Sequence, residues 1–188
     1  CEHGHLDVPL PDGSIKTVRI LRAHLEEDAG KNVHDHPAHT GVDLNRAGVP
    51  LLEIVSEPDM NSAVEAGAYG RAMQRLVRWL GASEANMQEG HMRFEPNINL
   101  HITHEGVTYK TPIVEVKNLN SFRSLEGAID YEIQRQSSEW DSDHAFTLEN
   151  FGKQNRGYDD ATGQTVFQRS KEEAHDYRYF PDPDLVPV

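Results

Sequence analysis

Cysteine is almost missing from this 188-residue chain, whose only cysteine is Cys1. A single cysteine excludes an intrachain disulfide and a zinc site built from cysteines, and is compatible with a reducing compartment. The sequence also lacks an apolar run of membrane-spanning length and a signal-peptide pattern. From these absences we expect a cytoplasmic location.

Basic residues are scarce as well. Lys and Arg number 18 against 31 Asp and Glu, the formal net charge is −13, and no basic run occurs. Because binding to phosphates requires clustered cations, the chain by itself is poorly suited to nucleic acid. The surplus carboxylates favour divalent cations, which prefer oxygen ligands, although any single surface acid is more often simply solvated.

The common nucleotide and hydrolase motifs are absent too. The sequence has no P-loop, dinucleotide-binding glycine motif, nucleophile elbow or HExxH motif, so those classes are unsupported. It begins with Cys1 instead of Met and ends on Pro187 and Val188, which leads us to expect an internal fragment of a longer protein. The length predicts one domain, residues 1–188.

Hydrophobic periodicity predicts both strands and helices. β-Formers and alternating apolar residues predict strands at 15–27, 49–57, 91–102 and 108–117, of which the last two could pair as a hairpin turning at Gly106. The segment between the first two strands, residues 31–48, is predicted to be a long functional loop.

Capping residues mark the helices. Ser62 begins a predicted helix that Gly81 ends, and Ser121 begins a second one that continues to about residue 138. Residues 159–164 predict a hairpin turn. Together the elements predict an α+β fold, an antiparallel sheet with helices on one face.

Carboxylates and amides recur on one face of each predicted strand. The sets are Glu26 and Glu27, Glu53 and Glu57, Glu95 with Asn97 and Asn99, and Glu115 with Lys117. If the strands lie side by side, their like charges form a trough that requires cations, and Mg²⁺ bridging phosphate oxygens would satisfy it. Arg93, Lys117 and Arg178 could then offset charge on a transferred phosphoryl group. A solvated sheet face is the alternative.

Three histidines, His34, His36 and His39, lie close together in the predicted loop. Imidazoles at such spacing can share a metal ion. The spacing fits no regular element, however, so a plain polar loop is the favoured interpretation.

Four stretches of the sequence match blocks of a known family. They are HLEEDAGK at 24–31, DLNRAGVPLLEIVSEPD at 43–59, EVKNLNSFR at 115–123 and RSKEEAHDYRYFP at 169–181. These strings resemble the signature blocks of GatB, the B subunit of the glutamyl/aspartyl-tRNA amidotransferases. They occur in family order across nearly the whole chain, so the resemblance is specific.

The resemblance implies a cradle-like α+β core similar to the glutamine synthetase and guanidino kinase fold. It also implies a reaction in which ATP, with Mg²⁺, phosphorylates the side-chain carboxylate of glutamate on tRNA(Gln) or aspartate on tRNA(Asn), after which ammonia displaces the phosphate. The implied partners are the amidase (GatA) subunit, which supplies ammonia, the small (GatC) subunit, and the charged tRNA. A carboxylate suits this chemistry because it is a poor acyl donor until one oxygen carries a phosphate.

Site roles follow from the same resemblance. It implies catalytic roles for Glu27, Glu89, Arg93 and Lys117, contacts to ATP or the acyl group for Glu26, Asn97, Asn118 and Arg178, and metal ligation by Glu26, Glu27 and Glu89. The family usually has Glu-Glu-Gly-Ser-Leu-Arg-Cys-Asp where this chain has residues 88–95, QEGHMRFE; Glu89 and Arg93 are kept, but the role of Gln88 is in doubt.

The resemblance also implies what this chain lacks. Family members begin earlier, with a strand that completes the metal site, and end in helical domains that hold tRNA. The fragment alone is therefore expected to be inactive and weak at binding tRNA.

Three alternatives remain. The archaeal sister family is close, but the block at 169–181 favours GatB. A non-catalytic assembly module would use the sheet only to dock a partner. A Mg²⁺-dependent carboxylate ligase for a small metabolite would have a closed pocket with no room for a tRNA end. Which tRNA is served stays open.

Overall fold

The computed structural model describes residues 2–36 and 39–171, and all structural statements concern these residues. The chain divides into two compact units, Cys1–Leu76 and Val77–Val188. The elements, in chain order, are β1 (Glu2–Pro9), β2 (Ile15–Glu27), β3 (Lys31–His36), β4 (His39–Asp43), β5 (Pro50–Ser56), α1 (Ala63–Trp79), β6 (Asn97–Ile98), β7 (His101–His104), β8 (Val107–Lys110), β9 (Ile113–Lys117), α2 (Phe122–Ser142), α3 (Leu148–Phe151), β10 (Lys153–Asp159) and β11 (Gln164–Lys171).

The first unit contains a three-stranded antiparallel sheet in the order β1-β2-β5. The predicted strands 15–27 and 49–57 are confirmed as β2 and β5, and they pair directly, with Ala23 opposite Ile54. The sequence analysis did not predict β1. Its pairing with β2 accompanies the complete burial of Val8 and Val18, which form part of the core.

The prediction of a long loop over residues 31–48 is wrong for the two strands that lie within this range, and its functional role stays a prediction. Residues 31–36 and 39–43 pair as the antiparallel strands β3 and β4, with Val33 opposite Gly41. Gly41 is tolerated within β4 because cross-strand pairing satisfies the backbone groups of the strand. The side chains of His34, His36 and His39 lie outside the described part of the structure, so the metal hypothesis for them stays a hypothesis.

Helix α1 begins as its capping residues predict. The Ser62 hydroxyl accepts the Glu65 N–H at 3.2 Å, and the Glu65 carboxylate accepts the Asn61 N–H at 2.7 Å. These contacts satisfy backbone donors that have no partner in the first turn. Lys16 of β2 lies 3.4 Å from Glu65, so the start of the helix is also linked to the first sheet.

The second unit contains a four-stranded sheet in the order β11-β10-β9-β6. The predicted turn at 159–164 is confirmed by the antiparallel β10–β11 pair. Strands β9 and β10 run parallel, however, so this sheet is mixed. Parallel neighbours need a long crossover, and here α2 and α3 provide it. The α+β prediction is confirmed; the likeness to glutamine synthetase stays a prediction.

The prediction of one strand over residues 91–102 is wrong for residues 91–96, which form no strand. Only residues 97–98 and 101–104 are strands, and the hairpin at Gly106 is confirmed as β7 with β8. Pro96 directly precedes β6, and Pro112 divides the predicted strand 108–117 into β8 and β9, because proline has no N–H to donate to a neighbouring strand. The four acid-bearing strands also do not lie side by side: β2 and β5 belong to one sheet, β6 and β9 to another.

Helix α2 covers one face of the second sheet. Ser121 caps it as predicted, accepting the Ser124 N–H at 3.0 Å. Val114 and Val116 of β9 are fully buried, as is Ala128 of the helix. Arg156 of β10, which lies directly opposite Val116, contacts Glu132 of α2, so Val116 and Val114 face the helix.

A buried polar network joins α2 to the strands of the second sheet. Glu132 of α2 is fully buried and accepts hydrogen bonds from Arg135, Gln136 and Thr165. Arg156 of β10 lies 3.2 Å from the same carboxylate. Burial alone would raise the pKa of Glu132, but the hydrogen bonds, of which that from Arg135 is the largest, keep the pKa below its usual range.

None of the helices within residues 2–36 and 39–171 is long and apolar enough to cross a membrane.

Candidate functional site

The face of the second sheet opposite α2 carries most of the predicted site residues; we call it the far face. Side chains alternate along a strand. Because Val114 and Val116 of β9 face the helix, Glu115 and Lys117 lie on the far face, as the sequence pattern predicts. The alternation therefore separates the apolar core from the polar side of the same strand.

Strand pairing places three polar side chains in one row across the far face. Asn97 of β6 lies directly opposite Glu115 of β9, and Glu115 lies directly opposite Asn155 of β10. Directly paired residues project from the same side of a sheet. Glu115 is 7% exposed and Asn155 is 2% exposed, whereas Asn97 is exposed.

Lys117 lies between two carboxylates at the edge of this row. Its Nζ atom is 3.0 Å from Oε1 of Glu115 and 3.0 Å from Oε2 of Glu95. One ammonium group therefore faces two carboxylates, and these three side chains together carry one net negative charge. We refer to Glu95, Asn97, Glu115, Lys117 and Asn155 together as the far-face cluster.

Asn155 differs from the other members because its side-chain oxygen makes no hydrogen bond. Among the described residues, Oδ1 of Asn155 is the buried side-chain oxygen or nitrogen atom without a partner. Buried polar atoms are nearly always paired, so an exception requires an explanation. Its direct neighbour on β11 is Arg169, whose side chain lies outside the described part of the structure.

Asn118 directly follows β9 and has a left-handed backbone, with φ of 66°. Its side-chain amide donates a hydrogen bond to the backbone oxygen of Tyr158 at 2.9 Å. This contact ties the end of β9 to the end of β10. Asparagine tolerates the left-handed region better than most residues, which explains its presence at this bend.

Glu89 and Arg93 lie in the irregular segment that precedes β6. Glu89 is exposed in a turn that ends at Gly90, and its carboxylate lies 3.6 Å from Nε2 of His91. Arg93 is also exposed. Neither residue lies on a helix or a strand.

Glu26 and Glu27 belong to the first unit, at the end of β2. They pair with Leu51 and Pro50 of β5, and as consecutive strand residues they project to opposite faces. Glu26 shares its face with Glu53, which in turn lies 3.6 Å from Arg22.

The metal assignment to Glu26, Glu27 and Glu89 stays a prediction. Within residues 2–36 and 39–171, no three His, Cys, Asp or Glu side chains form a group suited to hold a metal ion. Arg178, the remaining predicted site residue, lies outside the described residues.

The sequence pattern did not identify Asn155, and it placed Glu115 in the predicted trough without a catalytic or binding role. Glu115 carried a signal, since it shares a strand face with Lys117. Asn155 carried none, because its position beside Glu115 depends on the parallel pairing of strands 40 residues apart in sequence, seen in the pairing of Asn155 with Glu115.

Comparison with known proteins gives a consistent result. The family model described as "GatB/GatE catalytic domain" matches residues 1–188.

Curated proteins named as the B subunit of aspartyl/glutamyl-tRNA(Asn/Gln) amidotransferase are similar to the chain. That of Rhodopirellula baltica is 52% identical over 100% of this chain and 38% of its own length. That of Pseudomonas syringae pv. tomato is 54% identical over 98% and 37%. That of Borreliella burgdorferi is 49% identical over 98% and 38%. The chain thus spans little more than a third of these relatives.

Proposed function

Because the chain belongs to the GatB/GatE catalytic domain family, we propose that it is the carboxylate-activating part of a tRNA-dependent amidotransferase. The whole protein would amidate glutamate on tRNA(Gln), aspartate on tRNA(Asn), or both. The observation that carries the proposal is the far-face cluster, in which Lys117 lies 3.0 Å from both Glu95 and Glu115. The cluster offers a phosphate-binding cation beside oxygen ligands for a metal.

The proposed reaction has two steps. In the first, a carboxylate oxygen of the aminoacyl group attacks the γ-phosphorus of ATP, the bond from that phosphorus to the bridging oxygen breaks, and ADP leaves. In the second, ammonia attacks the carbonyl carbon, the carbon–oxygen bond to phosphate breaks, and inorganic phosphate and a proton leave. Activation is needed because a free carboxylate has no adequate leaving group.

The far face offers oxygen atoms of the type that Mg²⁺ prefers, but its acids form no group of three among the described residues, so further ligands would have to come from elsewhere. Mg²⁺ prefers oxygen ligands and keeps several waters, and the row Asn97, Glu115 and Asn155 offers carboxylate and amide oxygens. Bound Mg²⁺ would offset the charge on the phosphates during transfer.

Within this proposal the chain's own residues bind and orient. Lys117 and Arg93 counter the charge of the phosphoryl group, since ammonium and guanidinium groups stabilise phosphate oxygens. Asn97 and Asn118 are hydrogen-bonding neighbours of the nucleotide or acyl group. Glu26, Glu27 and Glu89 are proposed as metal or ATP-site acids, and Arg178 as a further contact.

Partners form part of the proposal. The relatives are named as the B subunit of an amidotransferase, and thus as one member of a larger complex. We propose that the whole protein works with the amidase (GatA) subunit, its source of ammonia, and with the small (GatC) subunit. With a net charge of −13, this chain contributes little to holding tRNA, which other parts of the protein would bind.

The test is calorimetric titration with ATP, with and without Mg²⁺. We expect Mg²⁺-dependent binding that is weakened in Lys117→Gln, Glu27→Gln and Glu89→Gln. Lys110→Gln, which removes an exposed lysine from β8, is the matched control and should bind as the native protein does. Equal ATP binding by Lys117→Gln and the control would contradict the placement of the phosphates at the far face. No binding by any form would mean either that the site needs the N-terminal strand with which family members begin, or that the chain is an assembly module.

A further inference from the structure

Strand β6 carries Asn97 of the far-face cluster, yet the strand itself does little to hold that residue in place. It consists of Asn97–Ile98 and lies at the edge of its sheet, so among the described strands it pairs with β9 alone. Strands in globular proteins usually have about five or six residues. The position of Asn97 opposite Glu115 therefore depends on further contacts of this short segment.

Gln136 of α2 supplies one of these contacts directly. Its Nε2 atom donates a hydrogen bond to the backbone oxygen of Ile98 at 3.2 Å, and Ile98 lies opposite Val114, which faces the helix. Ile98 and Asn97 are consecutive strand residues, so they project to opposite sides of the sheet. Gln136 thus holds β6 from the helix side, while Asn97 projects from the same strand to the far face.

A second contact runs from Gln136 through Thr111. The Thr111 hydroxyl donates to Oε1 of Gln136 and accepts the backbone N–H of Leu100 at 2.7 Å. The backbone N–H of Thr111 donates to the backbone oxygen of Leu100 at 3.0 Å. Because the hydroxyl gives its one proton to Gln136, its oxygen is available to accept from Leu100. The amide of Gln136 therefore fixes both β6 and the residues that follow it.

Both links are buried, which makes their loss unfavourable. Gln136 is 0% exposed and Thr111 is 1% exposed. Water does not readily reach such positions, so removal of one group leaves its partners without a hydrogen bond. Glu132, also buried, accepts a hydrogen bond from Nε2 of Gln136 at 3.0 Å. Because a carboxylate only accepts, this contact keeps the amide nitrogen of Gln136 on the side of Glu132 and Ile98.

We propose that Gln136 is a positioning residue of the candidate site: through Ile98 and Thr111 it holds Asn97 in the place where Asn97 contacts ATP. The inference rests on the proposed function, which makes Asn97 a neighbour of the nucleotide or the acyl group, and it takes the nucleotide as the partner. It adds a buried residue on the opposite side of the sheet that contacts no ligand itself. The alternative is a purely structural role, in which the amide only stabilises the fold.

The experiment measures the melting temperature and, by calorimetry with Mg²⁺, the affinity for ATP. Gln136→Met keeps the length of the side chain but removes the amide. Thr111→Val removes the hydroxyl, whereas Thr111→Ser keeps it. Ile129→Val is the matched control, because it removes one methyl group from a buried position of the same helix and alters no hydrogen-bonding side chain. Gln136→Met is also combined with Asn97→Ala.

We expect Gln136→Met and Thr111→Val to bind ATP about 3- to 10-fold more weakly, which corresponds to the loss of about one hydrogen bond from Asn97. Thr111→Ser should retain most of the native affinity. Ile129→Val should melt at a lower temperature and still bind ATP as the native protein does. In the Asn97→Ala background, Gln136→Met should have almost no further effect, because the contact that it misplaces is already absent.

Three results would overturn the inference while leaving the proposed function intact. Native ATP affinity in Gln136→Met, or an equal loss with and without Asn97→Ala, would show that the amide does not act through Asn97. An equal loss of affinity in Ile129→Val would assign the effect to general destabilisation.

The side-chain amide signals of Asn97 in NMR spectra require no ligand, so they separate this inference from the proposed function. Unchanged signals in Gln136→Met would overturn the positioning role, whatever the ATP affinity. Shifted signals together with no ATP binding by the native chain would support the positioning role and place the failure with the nucleotide site.

Discussion

Arg19 and Asp59 are joined by a two-point contact. Nε and Nη2 of Arg19 lie 2.9 and 2.6 Å from the two carboxylate oxygens of Asp59, which also accepts the backbone N–H of Arg19 at 2.9 Å. Arg19 belongs to β2, and Asp59 lies in the short connection between β5 and α1. The contact therefore ties the approach to the first helix to the central strand of the first sheet.

This contact predicts a loss of stability in acid. The side-chain hydrogen bond from Arg19, the largest cause, together with that from its backbone, lowers the pKa of Asp59 from 3.8 to about 2. A carboxyl group with a lowered folded-state pKa stabilises the protein above its unfolded pKa and loses that effect as the pH falls through the folded value. The contribution of Asp59 should therefore be complete above about pH 4 and should disappear towards pH 2.

The measurement is the melting temperature of native protein and Asp59→Asn between pH 2 and 7. The difference between them should be largest near neutral pH and should shrink below about pH 4. Asp141→Asn, at an exposed position of α2, is the control and should follow the native profile. A constant difference between native and Asp59→Asn across the whole range would contradict the assignment.

A second prediction concerns Glu132. Replacing it by Gln should destabilise the second unit by about 3 kcal/mol, because the variant leaves the largely buried guanidinium of Arg156 without its carboxylate. Urea unfolding followed by circular dichroism measures this change. Glu139→Gln is the control: Glu139 is 54% exposed and lies 4.0 Å from Arg135, so its loss should change the free energy of unfolding by less than about 0.5 kcal/mol. Similar values for the two variants would mean that the buried network contributes little.

A third prediction concerns the contact between Gly127 and Tyr158. A Cβ atom at Gly127 would lie 2.5 Å from the Tyr158 hydroxyl oxygen and 3.4 Å from Cζ. Gly127→Ala, which would stabilise an isolated helix, should therefore lower the free energy of unfolding here by about 1 to 3 kcal/mol. Because the hydroxyl makes the closest approach, Tyr158→Phe should restore most of that loss in the double variant.

A double-mutant cycle by chemical denaturation separates these effects. Additive losses in Gly127→Ala and Tyr158→Phe would show that the hydroxyl is not the obstacle. The prediction is specific to this packing contact, since Tyr158 projects from β10 towards α2 while the far-face cluster lies on the opposite side of the sheet.

Much of the fold was predictable because its signals are local. The Ser62 and Ser121 caps mark both long helices, since a capping hydroxyl acts within one turn of its own position. Strands β2 and β5 are rich in β-branched and apolar residues. Strand β1 and the β3–β4 pair escaped prediction because their Gly, Pro and His residues have weak strand propensity, and pairing with the adjacent strand in the chain stabilises them.

The candidate site was predictable only in part, for a similar reason. Glu115 and Lys117 are two residues apart, so a strand places them on one face, and the structure confirms this. Glu95 joins them through Lys117 over a separation of 22 residues, and Asn155 through strand pairing. No local sequence pattern shows that Glu95 and Asn155 lie beside Glu115 and Lys117. The family resemblance implied roles for Lys117 and Asn97 but none for Asn155.

The parallel pairing of β9 and β10 has a consequence for how the second unit folds. Val114 and Gln154 become neighbours only after 39 intervening residues have been closed into a loop, and closure of a long flexible loop is entropically unfavourable. Prior formation of α2 shortens the disordered part of that connection, so the helix is expected to form before the strands meet. Variants that weaken α2 should consequently slow refolding, whereas variants in the β10–β11 hairpin should mainly accelerate unfolding. During synthesis, the last strands of the sheet emerge after α2, and the far face is therefore among the latest features of the unit to be assembled.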